Sequence, residues 1–247
     1  MTIFRNVVFV AALAGLCAGI AMAAMQAYAT VPLILQAEVY EQAGDGHSHE
    51  HAAPASSDQQ QAVAAAGEEE EWEPADGFER TAFTVLANIV TGIGFALVLV
   101  AASELAGGIA NWREGIVWGL AGFAVFTLAP GLGLPPELPA MPAAELLPRQ
   151  VWWIGTAAAT AAGLALIAFR RTFPLALLGL ALIVVPHLIG APQPESHETP
   201  IPETLHHSFV VAVTVTNLVF WVILGMLVAV FRQRVSIPAG EPQERLA

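Results

Sequence analysis

Residues 209–231 read FVVAVTVTNLVFWVILGMLVAVF, a run of 23 residues without a charged side chain. A helix needs about 20 apolar residues to cross the hydrocarbon core of a bilayer, which is ~30 Å thick. Because that core holds no water to bond backbone amides and carbonyls, a lone segment there must satisfy them internally, as a helix does. The stretch therefore predicts a membrane-spanning helix and indicates the class of the whole chain.

The composition agrees with an integral membrane protein. Hydrophobic residues make up 56% of the 247 and charged residues 12%, against about 45–50% and 25% in soluble domains. Five further segments are also apolar, and Phe173 to Ile189 is the shortest of them. We therefore expect an all-α transmembrane bundle of about six spans, over residues 7–35, 81–103, 115–134, 151–169, 173–189 and 209–231.

These spans divide the chain into four parts. We expect a first transmembrane helix over 1–36, an external loop over 37–80, a five-helix bundle over 81–231 and a cytoplasmic tail over 232–247. The alternative for the first segment is a signal peptide cleaved after Ala27-Tyr28-Ala29. Its apolar stretch is longer than the 7–15 residues of a signal core, which favours an uncleaved helix.

The basic residues, all nine of them arginines, predict the orientation. If the N-terminus is cytoplasmic, only Arg80 and Arg149 lie outside, and the other seven lie inside as the positive-inside rule expects. Of the 21 acidic residues, 17 then lie outside. We expect a multi-pass protein of the bacterial inner (cytoplasmic) membrane with both termini in the cytoplasm.

Several function classes are disfavoured. Without lysine there is no P-loop phosphate clamp and no Schiff-base chemistry, and a net charge of −12 disfavours nucleic acid as a partner. Cys17 is the only cysteine and cannot form an internal disulfide. Neither H-E-x-x-H nor G-x-S-x-G occurs, so we predict no enzyme and no cofactor.

An alternating histidine tract in the external loop points to metal. His47, His49 and His51 are followed by a tract rich in Ala, Gln and Ser, predicted to be disordered, and by an acidic run over 68–73. Neutral imidazole is a ligand of divalent transition metals. The tract therefore predicts capture of such a cation, the alternative being a solvated polar segment that binds nothing specifically.

The other predicted metal ligands lie on the same outer side. His187 follows Pro186, at the start of a proline-rich stretch over 186–194 that we do not expect to form a regular helix, and an ionisable group at such a break is a candidate site. Glu38 and Glu41 share a face if the first helix continues that far. The set is completed by two histidines of the last outer loop, His206 and His207. The alternative is that His187 only ends a helix and that the two carboxylates mark its exit from the bilayer.

Within the spans, Asn88 and Asn217 are the polar residues that we expect to line a transport path, although most polar groups there form interhelical hydrogen bonds. G-x-x-x-G pairs at Gly15–Gly19 and Gly115–Gly119 let helices approach closely. They predict tight packing inside one bundle, with the contact of a homo-oligomer as the alternative.

Several stretches resemble the CbtA family of proposed cobalt transporter subunits, which is associated with cobalamin biosynthesis. They are PLILQAEVYE at 32–41, the histidine loop, residues 72–81, GLGLPPELP at 131–139, RQVWW at 149–153 and residues 185–194. The resemblance implies a polytopic component of Co²⁺ uptake that works with a small histidine-bearing membrane partner, CbtB. It also implies five spans, where the sequence shows six segments.

The leading hypothesis is that the outer histidines and carboxylates capture a divalent cation, and the protein passes it inward across the lipid bilayer. The sequence has no nucleotide-binding motif, so the energy would come from the membrane potential, a gradient or a partner. The alternative is a receptor or scaffold that binds the metal and loads a separate permease.

Overall fold

A computed structural model gives the structure of the chain and describes residues 2–45, 74–75, 77–170 and 172–235. In these residues every regular element is helical, which confirms the all-α expectation. The helices are α1 (Thr2–Ala29), α2 (Val31–Asp45), α3 (Phe78–Leu105), α4 (Trp112–Phe123), α5 (Ala129–Gly133), α6 (Leu146–Arg170), α7 (Phe173–Ile189) and α8 (Glu203–Val235), with a π-helical turn, Ala124–Leu128, between α4 and α5.

Five helical stretches are long and apolar enough to cross a membrane: α1 from Phe4, α3, the continuous Trp112–Gly133, α6 and α8. Helix α7 has 17 residues and is about 25 Å long at a rise of ~1.5 Å per residue. It runs back along α6, because Gly179 packs on Gly163 and the Pro186 carbonyl accepts a hydrogen bond from Trp152 at the start of α6. The chain thus returns to the end where α6 began, as a sixth crossing requires.

The first helix ends earlier than the segment expected from hydropathy, at Ala29 and not at Leu35. Helix α1 ends at Ala29, the chain turns at Thr30, and α2 starts at Val31. Pro32 lacks the amide hydrogen that would bond to the Tyr28 carbonyl, so it cannot continue the α1 ladder. The amide of Leu33 bonds instead to the Thr30 carbonyl, at 3.1 Å.

Helix α2 carries the chain through the start of the expected external loop. Residues 37–45 are helical, so Glu38 and Glu41 lie one turn apart on the same helix, as their spacing required. The metal-ligand prediction for His47, His49 and His51 falls outside the described residues, as do the predicted disordered tract and acidic run after them.

The proline-rich stretch after α7 differs in part from expectation. Helix α7 continues through Pro186 to Ile189, so the prediction of no regular helix over 186–194 is wrong for its first four residues. A proline removes one donor but not the helix as a whole, and here only three helical residues follow it. The helix ends at Ile189, and Gly190 after it has a φ of 88°, which is rarely adopted by residues with a side chain.

Proline also explains the π-helical turn between α4 and α5. Pro130 lies at the start of α5, and a proline ring clashes with the carbonyl four residues earlier in a regular α-helix. A wider turn moves that carbonyl away. The same turn places Phe126 in a stack on Trp221 of α8, with ring centroids 5.6 Å apart, and against Trp153 of α6 at 6.2 Å.

Glycines set the closest helix contacts. The α1–α3, α4–α8 and α6–α7 pairs touch backbone to backbone through Gly15, Gly19 and Gly92, through Gly115, Gly119 and Gly225, and through Gly163 and Gly179. A Cβ atom at any of these positions would overlap a neighbouring backbone atom. The expectation that the two G-x-x-x-G pairs pack helices inside one bundle is confirmed.

The bundle has two chemically distinct ends. One, the arginine-rich end, holds the start of α1, the α3–α4 and α6–α7 connections and the end of α8, with Arg5, Arg113, Arg170, Arg232 and Arg234. The other, the histidine-bearing end, holds α2, the 134–145 and 190–202 connections and the start of α8. Arginines expected on one side of a membrane therefore lie at one end, as far as the chain is described.

Candidate metal-handling site

A small core holds helix α2 on the histidine-bearing end. Ala37 is fully buried there, against Leu138, Ile201 and Phe209. These residues come from the 134–145 connection, the 190–202 connection and the start of α8, so one apolar cluster joins four parts of the chain. This cluster fixes where the polar face of α2 lies relative to the histidines of α8.

Glu38 is engaged in an ion pair. Its carboxylate accepts hydrogen bonds from both terminal nitrogens of Arg80 in α3, with 3.4 Å between Nη1 and Oε2. The carboxylate is 25% exposed and the guanidinium 40%. Glu41, one turn on, is exposed. A cation that binds Glu38 must therefore compete with Arg80 for the carboxylate.

His187 stands against Trp152. Their ring centroids are 5.9 Å apart and the ring planes meet at 71°, an edge-to-face contact. The Trp152 indole also donates its N–H to the Pro186 carbonyl at 3.3 Å. The imidazole is half-buried in the last turn of α7. Trp152 thus positions both the helix end and the histidine.

We expect Trp152→Phe to destabilise the folded protein by about 1 kcal/mol, the usual contribution of one neutral hydrogen bond. The phenyl ring keeps an edge for His187 but leaves the Pro186 carbonyl without its side-chain donor. Thermal unfolding in detergent measures the difference. Trp153→Phe is the matched control, because in the described part of the chain that indole packs on the Phe126 ring and not on a carbonyl. Equal shifts for the two variants would contradict the prediction.

His206 is bonded in a way that leaves one nitrogen for a ligand. Its Nε2 lies 3.2 Å from the Pro136 carbonyl oxygen. A carbonyl only accepts, so Nε2 must donate, and a neutral ring then keeps Nδ1 as an acceptor. Histidines that bind a metal through one ring nitrogen usually donate the N–H of the other to a backbone carbonyl, a carboxylate or water. His207 and His197 are exposed at the same end.

Two ion pairs at this end were not predicted from the sequence. Besides Glu38–Arg80, Arg149 at the start of α6 pairs with Glu137, with 2.9 Å between Nη2 and Oε2. Arg80 and Arg149 are the two arginines that depart from the positive-inside distribution. Each has its charge compensated by a glutamate, and their exceptional placement was the signal that could have prompted a search for partners.

The predicted ligands that the structure describes share an end of the bundle but do not converge. Among the described residues, no three His, Cys, Asp or Glu side chains lie close enough together to hold a metal ion. Glu38, His187 and His206 are instead separate groups with separate partners. A complete coordination shell at this end would need water, the histidine tract or another protein.

Comparison with known proteins decides the family. A family model described as "Probable cobalt transporter subunit (CbtA)" matches residues 4–233 of the chain. The chain belongs to the CbtA family. The match runs from the start of α1 to the last turn of α8, so it includes both ends of the bundle. No match was found among curated proteins or among solved structures. CbtA is a family of membrane transporter subunits and not a family of enzymes.

In this CbtA protein the two predicted path residues already have hydrogen-bond partners. Asn88 donates to the side-chain oxygen of Gln26 in α1 at 2.6 Å and to the Thr84 carbonyl at 2.9 Å. Asn217 donates to the Val213 carbonyl of its own helix at 2.9 Å. Asn88 therefore joins α1 to α3, and a role in transport stays a prediction for both.

Proposed function

We propose that this CbtA protein is a membrane component of Co²⁺ uptake that captures the cation at its histidine-bearing end and passes it inward. The observation that carries the proposal is the family match over residues 4–233. The clustering of every described histidine at one end, together with Glu38 and Glu41, supports it. Action beside CbtB and supply of cobalt to cobalamin biosynthesis belong to the same proposal.

Capture would use imidazole first and carboxylate second. His47, His49 and His51 bind the hydrated cation, and His187, His206 and His207 receive it at the bundle. Co²⁺ then competes with the Arg80 guanidinium for Glu38, and its double charge favours the exchange. A cation must bind well enough to enter and weakly enough to leave. Ligands spread over separate positions hold it weakly enough for release.

The driving force needs no nucleotide. We place the arginine-rich end in the cytoplasm of a bacterial cell, because arginine accumulates on that side of inner-membrane proteins. A divalent cation that enters a negative interior then gains about 4.6 kcal/mol per 100 mV, twice the value for a single charge. That energy corresponds to a concentration ratio of about 2,000, at roughly 1.4 kcal/mol for each factor of ten.

A second candidate is a subunit that binds Co²⁺ and loads a separate permease. It is favoured by the separation of the ligands in the described residues and by spans without a charged residue at mid-depth. Such a subunit would bind the metal at its outer end without passing it through its own bundle.

Uptake of radiolabelled Co²⁺ into proteoliposomes that contain this chain alone tests the proposal. With an inside-negative potential we expect saturable uptake, several-fold above protein-free vesicles, which Ni²⁺ or Zn²⁺ competes for. Reversing the potential is the internal control and should suppress it. Binding of Co²⁺ to the detergent-solubilised protein without uptake would favour the receptor subunit, and absence of both would contradict a role in metal handling by the chain alone.

A further inference from the structure

A cavity of about 130 Å³ opens at the arginine-rich end, between α1, α3 and α8. Its polar lining comes from Asn6, Glu104 and Arg232, and valines of the same three helices form the remaining wall. One water molecule needs only ~10–15 Å³ of such space. The cavity can therefore hold a cation together with several of its waters.

Arg232 lines this cavity and makes a two-point contact with Glu104. Its Nε lies 2.5 Å from Glu104 Oε1 and its Nη2 lies 3.2 Å from Oε2. The third nitrogen, Nη1, donates to the Ile109 carbonyl at 3.0 Å. The end of α8 is thereby joined to the end of α3 and to the connection between α3 and α4.

The backbone beneath the guanidinium is shaped to accept it. Gly108 has a φ of 82°, and a Cβ atom there would overlap the Arg232 guanidinium. Ile109 is fully buried in the main core beside it. Glu104 and Arg232 are 36% and 28% exposed, so water and ions reach the carboxylate without unfolding the bundle.

We propose that this cavity is a release site for a divalent cation, with Glu104 as its charged ligand. This inference rests on the proposed function, because the cation reaches the site through the bundle. The Glu104 carboxylate and the side-chain oxygen of Asn6 bind the metal, and water completes the coordination shell. Arg232 occupies the carboxylate between passages and is displaced when the cation arrives.

The chemistry of the ligands suits release. Oxygen ligands with water hold transition metals more weakly than imidazole does, so affinity falls from the histidine-bearing end to this one. Since a divalent cation and a guanidinium repel each other, the two do not share the carboxylate. Return of Arg232 to Glu104 then helps to expel the metal. The guanidinium again lies against Gly108 and donates to the Ile109 carbonyl.

A purely structural ion pair makes a different prediction from a binding site. If Glu104 and Arg232 only join helices, neutralising either one has the same effect, a loss of stability. If the carboxylate is a ligand and the guanidinium its competitor, the two substitutions change metal affinity in opposite directions.

Mn²⁺ is a suitable probe because it prefers carboxylate, carbonyl and water ligands to imidazole. Binding is measured by the loss of the free-ion electron paramagnetic resonance signal, on full-length protein in detergent. To remove competing sites, His47, His49 and His51 are replaced by alanine and the five glutamates of the acidic run over 68–73 by glutamine. We expect Glu104→Gln to weaken Mn²⁺ binding at least tenfold and Arg232→Gln to tighten it about three- to tenfold. Glu114→Gln should leave it unchanged, since that carboxylate lies at the same end but bonds to the Ala110 amide and the Asn111 side chain.

Gly108→Ala provides a second variant that leaves both members of the ion pair intact. Its methyl group pushes the guanidinium off its position and should also tighten Mn²⁺ binding.

Unchanged Mn²⁺ affinity in Glu104→Gln, or weaker Mn²⁺ binding in Arg232→Gln, would overturn the site. Binding is measured without transport, so the two hypotheses can fail separately. If Mn²⁺ binds at Glu104 but the protein takes up no Co²⁺, only the proposed function is contradicted. If the protein takes up Co²⁺ but Glu104→Gln binds Mn²⁺ as tightly as the unchanged protein, only this inference is contradicted.

Discussion

Replacing His187 with alanine is expected to reduce Co²⁺ uptake to the level of protein-free vesicles. His187 is the half-buried imidazole in the last turn of α7, and it has Trp152 on one side. In the proposed sequence of binding it follows the histidine tract and precedes the oxygen ligands, and no other histidine lies on α7 to replace it.

Deleting residues 47–51 should instead raise the half-saturating Co²⁺ concentration about tenfold, the equivalent of roughly 1.4 kcal/mol of binding energy, with the maximal rate kept.

The matched control for His187→Ala is His187→Phe. The phenyl ring keeps the edge-to-face contact with Trp152 but has no nitrogen to offer a metal. Initial uptake rates over a range of Co²⁺ concentrations, with equal amounts of reconstituted protein, separate the two roles. If His187→Phe transports like the unchanged protein, the histidine only packs against Trp152 and is not a ligand.

The second large effect is expected on stability, from Gly225→Val in α8. A Cβ atom at Gly225 would overlap the carbonyl of Gly115 and approach Gly119. The crowded atoms are backbone, so no side-chain rotation relieves them and α4 must move away from α8. Overpacking of a core typically costs ~1–3 kcal/mol, and we place this substitution at the upper limit or above it. Yield of monodisperse protein in detergent and its melting temperature measure the effect.

Gly155→Val is the control for this substitution. Gly155 lies within α6, and a Cβ atom placed on it would have no neighbouring atom within 4 Å outside its own helix backbone, so the same change meets open space. Valine and glycine differ by only a few tenths of a kcal/mol in helix propensity, and the melting temperature should hardly move. Comparable losses for both variants would show that the α4–α8 contact is not as close as the glycines indicate.

Hydropathy was enough to locate the spans, because the bilayer demands about 20 apolar residues wherever a helix crosses it. The prolines inside the apolar segments were harder to interpret. Pro32 separates α1 from α2, whereas Pro186 lies within α7. Both remove one amide donor, but the outcome depends on what packs around the helix, and Trp152 bonds to the Pro186 carbonyl. No local pattern contains that information.

The partners of the carboxylates could not be predicted from local sequence either. The spacing of Glu38 and Glu41 placed them on one helix face but did not predict the ion pair of Glu38 with Arg80, 42 residues away. Glu104 was not predicted as a site residue, because it is a single acidic residue after a span. Its partner Arg232 is 128 residues further on, and only the arrangement of α1, α3 and α8 creates the cavity beside them.

The sequence by itself determined that this protein is a helical membrane bundle, which residues lie at which end and which family it resembles. These follow from hydrophobic length, from charge asymmetry between loops and from motifs of neighbouring residues. The tertiary structure alone decided which carboxylates are paired, which histidine nitrogen is left for a ligand and where glycines bring backbones together. Those features join residues far apart in the chain, and their partners are set by how the helices pack.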